Sequence, residues 1–158
     1  NPAETFSQAC ERMEGFAEIL GFSKLYRSKP YGFAEQPSFV NAAARIRTTL
    51  SPKELLTKLQ ETERALGKKV IRENGPRVID LDLLLYEDLV LDTNELQLPH
   101  PGILERDFVL RPLLDLNPEL THPSWSGTSI KQALEGIETS FLLEETDEPL
   151  DRPEGSQD

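Results

Sequence analysis

Val78-Ile79-Asp80-Leu81-Asp82-Leu83-Leu84-Leu85-Tyr86 alternates acid and aliphatic side chains with the period of two that a β-strand imposes. A strand over 78–86 puts Asp80 and Asp82 on one face and Ile79, Leu81, Leu83 and Leu85 on the other. The apolar face must be covered, and the acidic face is left for chemistry. The backbones of residues two apart on a strand are roughly 6.5 to 7 Å apart, so convergent carboxylates can hold cations about 3.5 to 4 Å apart. A hard oxygen pair without thiols or a histidine cluster suits Mg²⁺, which keeps waters and takes substrate phosphate oxygens. The plain alternative is a solvated acidic face. It leaves two like charges repelling on one strand with no cation to offset them.

Immediately upstream, Lys68, Lys69, Arg72 and Arg77 place four positive charges in ten residues, against the single acid Glu73. Asn74-Gly75-Pro76 in the same stretch predicts a mobile loop. A basic run alone is usually a solvated surface, but beside an acidic strand it can close over a triphosphate, with guanidinium groups gripping phosphate oxygens bidentately. Downstream, Glu87-Asp88 predicts a turn into a short return strand over 89–91, and Pro99-His100-Pro101 a rigid corner. The segment 108–116 is an apolar helix with Pro112 near its start, and Ser129-x-x-Gln132 caps a last short helix.

Toward the N-terminus, Asn1-Pro2 and Glu4 open a helix expected to run to about Leu20 and to stop at Gly21. Phe6, Cys10, Met13, Ala17 and Leu20 share its apolar spacing, which makes Cys10 a core thiol rather than a nucleophile. A short strand is expected over 23–28, then a long aromatic loop through Lys29-Pro30-Tyr31-Gly32 and Gln36-Pro37. From Phe39 to Thr48 one face carries Val40, Ala42, Ala44 and Ile46, and the other carries Phe39, Asn41, Arg45 and Arg47. Ser51-Pro52-Lys53-Glu54 is a capping box, with Leu50 and Leu55 as its hydrophobic staple. The helix it starts is expected to end at Leu66-Gly67. Helix, two strands, helix, strand, hairpin and helices make an α+β layer architecture, a mostly antiparallel sheet with helices on its faces. Two strand-helix-strand units of this kind give a ferredoxin-like layered sandwich, of which the first unit here lacks its opening strand.

The 158 residues suit one domain, assigned to 1–143. From Leu134 onward there are nine acids and one base, a net charge of −8 within the total of −11. The body is therefore nearly neutral, and 144–158 is expected to be an acidic, disordered tail. Without a basic face there is no footprint for duplex nucleic acid. No run approaches the roughly 18 apolar residues of a membrane span. One cysteine excludes an internal disulfide and a multi-cysteine zinc site, which fits a reducing, cytoplasmic setting.

Asn74-Gly-Pro-Arg-Val-Ile-Asp-Leu-Asp82, Leu98-Pro-His-Pro101, Glu105-Arg-Asp-Phe-Val-Leu110 and Pro112-Leu113 together resemble the 6-hydroxymethyl-7,8-dihydropterin pyrophosphokinase family of folate synthesis. Tyr26-Arg-Ser-Lys-Pro-Tyr-Gly32 and Gln36-Pro-Ser-Phe-Val-Asn-Ala42 are similar to its second strand, loop and third strand, so the resemblance covers about Asn1 to Pro123. It implies transfer of the terminal pyrophosphate of ATP to the pterin hydroxymethyl group, with AMP released and two Mg²⁺ ions. By position, Asp80 and Asp82 would ligate the ions. Arg77, Arg106 and His100 would contact the nucleotide phosphates, with Arg72 a loop contributor. Gln60 and Glu63 match nucleotide-side positions. Pro30, Tyr31, Phe39, Asn41 and Phe108 match the pterin site, where stacking rings and an amide suit a flat heterocycle. His122 and Trp125 carry no role beyond packing, and Asn74 stands where many members have Trp.

The family opens with a strand ending in a Gly-Ser-Asn type segment, whereas this chain begins at what matches the first helix. A short β-rich segment is therefore expected ahead of Asn1 in the native protein. Two other functions fit parts of the pattern: a non-catalytic binding module or remnant of the same fold, and a Mg²⁺-dependent nucleotidyltransferase using the aspartate pair.

Overall fold

A computed structural model of the chain describes residues 2–28, 39–67, 79–137 and 142–145. The architecture is α+β, with four α-helices and three small sheets among the described residues. The chain divides into two compact units. The described part of the first is 2–20, 46–67 and 79–83, and that of the second is 21–28, 39–45, 84–137 and 142–145.

In the first unit, helix α1 spans Pro2–Met13 and packs on α2, Pro52–Ala65. Both halves of the α2 capping box form: the Ser51 hydroxyl accepts the Glu54 N–H at 3.3 Å, and Glu54 Oε1 accepts the Ser51 N–H at 2.9 Å. Leu55, Leu59, Thr62 and Glu63 make its buried stripe. Gly67 ends it at φ +116°, a left-handed conformation that glycine reaches without a Cβ clash. Helix α1 is shorter than its apolar spacing predicts. After Met13 the chain turns, with Phe16 and Ala17 both donating to the Met13 carbonyl, and Glu18–Phe22 form strand β1. Leu20 is accordingly 42% exposed rather than part of a helical core stripe. Cys10 and Met13, inside α1, are buried as expected.

The span 39–48 is not one strand. It breaks into β3, Phe39–Asn41, and β4, Ala44–Arg47, because Ser23 competes for the backbone between them. The Ser23 hydroxyl accepts the Ala43 N–H at 2.8 Å, and the Ser23 N–H donates to the Ala43 carbonyl at 2.8 Å. Strand β4 pairs with β1. Strand β3 pairs antiparallel with β2, Tyr26–Ser28, in the register Tyr26 to Asn41 and Ser28 to Phe39. On its other side β2 pairs antiparallel with β7, Leu142–Glu145. The expected tail boundary at 143/144 therefore falls inside a strand; residues 146–158 lie outside the described ones.

Val78, the first residue of the expected strand, lies outside the described residues, and over 79–91 the expected strand and hairpin are replaced by something else. Residues 79–86 join no ladder among the described residues. The Glu87-Asp88 turn does form, with Leu89 N–H donating to the Tyr86 carbonyl at 3.0 Å. The hairpin comes later, pairing β5, Leu91–Asp92, with β6, Gln97–Leu98. Thr93 closes it by exchanging hydrogen bonds with Leu96.

A single 3₁₀ turn at Ile103–Glu105 leads into α3, Asp107–Leu116. Pro112 sits in the middle of α3 rather than near its start. Helix α4, Ile130–Glu135, carries the predicted capping box between Ser129 and Gln132. Ile103, Leu110, Leu113 and Ile130 form the core of the second unit, with Leu84, Leu85 and Val109 packed against it. Helix α3 is tied to the sheet through Asp115, whose Oδ2 accepts from the Tyr26 hydroxyl at 2.6 Å and the Lys24 N–H at 3.0 Å. No helix of the described residues is long and apolar enough to cross a membrane.

Candidate active site

In the first unit the exposure of 79–83 keeps the alternation read from the sequence. Asp80 and Asp82 are exposed, while Ile79 and Leu81 are half-buried and Leu83 is buried. The two carboxylates thus share the solvent side although the segment joins no ladder among the described residues. A side chain of α2 ties it down: a Glu63 carboxylate oxygen, Oε2, accepts the N–H of Leu81, the residue between the aspartates. Glu63 is 7% exposed, and Gln60, three residues earlier, is exposed. The pair expected on one nucleotide-facing side therefore divides, Gln60 to solvent and Glu63 onto the protein's own backbone.

The donor set fits Mg²⁺. Two exposed carboxylates on one side offer hard oxygens, and no group of three or more His, Cys, Asp or Glu suited to a metal occurs among the described residues. Such a pair leaves coordination positions for water and phosphate oxygens, the way Mg²⁺ is usually held at nucleotide sites. Cys10 adds nothing reactive. It is fully buried, and burial, helped by the negative charge of Glu14, pushes its thiol up to about 12.

In the second unit His100 and Arg106 flank a tight turn. The His100 N–H donates to the Leu84 carbonyl at 2.8 Å, and its Nδ1 lies 2.7 Å from the Pro101 carbonyl oxygen. A carbonyl oxygen only accepts, so Nδ1 carries the hydrogen. Arg106 caps the N-terminus of α3, its carbonyl accepting from Val109 and Leu110 at 3.0 Å each.

Gly102 is a residue the sequence reading missed. At φ +87°, a Cβ there would meet Arg106 Nε at 3.3 Å and Cζ at 3.4 Å, so the glycine both permits the turn and leaves room for the guanidinium. The Pro101-Gly102 dipeptide was the available signal. An open cavity of about 230 Å³ adjoins this turn, lined by residues 99–105 with Ser124 and Trp125.

Of the pterin-side residues, Asn41 is half-buried at the end of β3, opposite Tyr26. Phe108 is half-buried in the first turn of α3; its neighbours Val109 and Leu110 belong to the core cluster and Phe108 does not. Phe39 is placed by its backbone, in register with Ser28. Pro30, Tyr31, Arg72 and Arg77, with Lys68 and Lys69, lie outside the described residues. His122 has more than packing to do: it is 3% exposed, its Nδ1 accepts the Ser124 N–H at 3.1 Å, and its Nε2 lies 3.3 Å from the Leu89 carbonyl.

The model of the family described as 7,8-dihydro-6-hydroxymethylpterin-pyrophosphokinase matches residues 1–118. A 2-amino-4-hydroxy-6-hydroxymethyldihydropteridine pyrophosphokinase of Aquifex aeolicus is 43% identical over 116 residues, 73% of this chain and 72% of that protein. The protein of the same description from Pseudomonas aeruginosa is 41% identical, over 77% of this chain and 76% of its own length. The folic acid synthesis protein fol1 of Pneumocystis carinii is 44% identical over 76% of this chain, which spans only 16% of that longer protein. With three quarters of its length inside the family's pattern and the Asp80-Leu-Asp82 motif standing on one exposed side, the chain belongs to the 7,8-dihydro-6-hydroxymethylpterin-pyrophosphokinase family.

Proposed function

We propose that the protein transfers the terminal pyrophosphate of ATP to the hydroxymethyl group of 6-hydroxymethyl-7,8-dihydropterin, giving AMP and the pterin diphosphate for folate synthesis. The pterin oxygen bonds to the β-phosphorus, the bond from that phosphorus to the α,β-bridging oxygen breaks, and AMP leaves with that oxygen. The hydroxyl proton passes to solvent. The observation that carries the reading is the exposed pair Asp80 and Asp82, alternating with covered aliphatic residues inside a family-wide match.

Catalysis of this kind is mostly positioning and charge neutralisation. Asp80 and Asp82 hold Mg²⁺, two ions in this reading, whose chemistry is to neutralise and orient the triphosphate. Arg77 and Arg106 donate to its oxygens in fork geometry, Arg72 joins them from the basic segment, and His100 contacts the phosphates from the Pro-His-Pro corner. Gln60 serves the nucleotide. Asn41 reads the pterin edge, Phe39 and Phe108 stack on its faces, and Pro30 and Tyr31 complete its site. The same reading brings a ferredoxin-like layered sandwich and a cytoplasmic setting, where a buried free thiol and ATP are both at home. Neither the non-catalytic module nor the nucleotidyltransferase is favoured by the family match.

Incubating the protein with ATP, Mg²⁺ and the pterin and separating the nucleotides tests the proposal. AMP should appear in equal amount to pterin diphosphate and only when the pterin is present. Formation of ADP, or AMP without the pterin, would overturn it. Arg106→Ala should slow the pterin-dependent reaction, since a charge-assisted hydrogen bond contributes about 1.5 to 3 kcal/mol.

A further inference from the structure

Helix α2 buries Leu55, Leu59, Thr62 and Glu63 along one stripe. The spacing from Leu55 to Leu59 to Glu63 is four and four, so an aliphatic residue would continue the stripe at position 63. A carboxylate there is costly unless something compensates for its lost hydration. Part of that compensation is the Leu81 N–H, eighteen residues further along the chain. That amide is not an arbitrary one. It lies between Asp80 and Asp82, in an extended segment that joins no ladder among the described residues, where a hydrogen bond from a helix side chain helps to fix how the chain is rolled about its own axis.

In an extended segment the N–H of one residue lies roughly perpendicular to the side chains of its neighbours. Pinning the Leu81 N–H to a rigid helix therefore sets the roll of the segment, and with it the side to which both flanking carboxylates point. From this we infer that Glu63 is a positioning residue for the aspartate pair: its carboxylate holds the Leu81 amide and thereby presents Asp80 and Asp82 together to a divalent cation, instead of touching the nucleotide itself. The inference rests on the proposed pyrophosphokinase reading for what the cation does, but not for the hydrogen bond.

Three variants of the full chain separate the possibilities. Glu63→Gln keeps an acceptor oxygen at the same reach, Glu63→Asp withdraws it by one methylene, and Glu63→Leu removes it while filling the stripe. Hydrogen exchange at the Leu81 amide, measured without ligands, reads the contact directly. The Mg²⁺ concentration giving half-maximal AMP formation reads its consequence.

Exchange should be at least about tenfold faster in Glu63→Asp and Glu63→Leu and nearer the parent in Glu63→Gln, since a charge-assisted hydrogen bond is lost in the first two. The half-maximal Mg²⁺ concentration should rise about tenfold or more in the same two variants, the usual effect of removing a group that orients metal ligands. Glu63→Gln should restore most of it. Unchanged Leu81 exchange in Glu63→Asp and Glu63→Leu overturns the inference whether or not the protein makes AMP. If Glu63→Leu does not fold, Glu63→Asp decides. Glu63→Gln as impaired as Glu63→Leu in AMP formation, with its Leu81 amide still protected, means a direct nucleotide contact and also overturns it. If the parent makes no AMP, the pyrophosphokinase reading fails, and the exchange measurement still decides the positioning role.

Discussion

Asp80 and Asp82 are like charges two residues apart, and their shared exposure lets water screen the repulsion that burial would magnify. Asp80→Asn and Asp82→Asn should each abolish pterin-dependent AMP formation while leaving the melting temperature equal to or above that of the parent, because size is kept and one repelling charge is removed. Calorimetry beside the AMP assay checks both halves, and a variant with near-parent turnover at saturating Mg²⁺ would take that aspartate out of the site. This pair was legible in the sequence because alternation is a local property of the chain. Glu63 was only half legible. Its place on the inner stripe of α2 could be read from spacing, but its partner, the Leu81 amide, is brought to it by the path of the chain between them.

The helix starts are the best-determined elements, since a cap is settled within four residues. Ser129→Ala removes the hydroxyl that accepts the Gln132 N–H at 3.1 Å and should lower stability by about 1 kcal/mol, read from denaturant midpoints. At α2 the box is also titratable. The Glu54 carboxyl is held below its usual 4.5, first by the Ser51 backbone N–H and then by the Ser51 side chain. A folded-state value lower than the unfolded one means that the charged form contributes stability above the unfolded value and loses it as pH falls through the folded value. The melting-temperature gap between the parent and Glu54→Gln, which keeps the geometry without titrating, should therefore close as pH falls below 4.5; a constant gap would remove Glu54 from the cap's pH response. Strand boundaries were less legible. The apolar spacing of Cys10, Met13, Ala17 and Leu20 continued past Gly15 only as sequence, and pairing with β4 turned residues 18–22 into strand.

For the whole molecule, the buried thiol is a reporter of opening. With its thiol pushed to about 12 and no exposure, Cys10 in the folded protein should resist a disulfide reagent at about pH 8 and react stoichiometrically once urea unfolds the chain. Rapid labelling without denaturant would show that α1 opens independently. What the sequence by itself determined comprises the α+β class, the caps of α2 and α4, the one-sided aspartate pair and the family-wide motif; the caps and the pair are written in residues within a turn or two of one another, and the class and the motif in the order of such short segments along the chain. Only the tertiary structure decided where α1 stops, that 39–48 breaks in two, that 79–86 joins no ladder among the described residues, and that Glu63 faces the protein. The physical reason is the choice of hydrogen-bond partner. Ser23 takes the Ala43 amide twenty residues away and Glu63 takes that of Leu81 eighteen away. Every backbone amide must find an acceptor, but which distant acceptor wins depends on how the chain packs, and no local pattern records it.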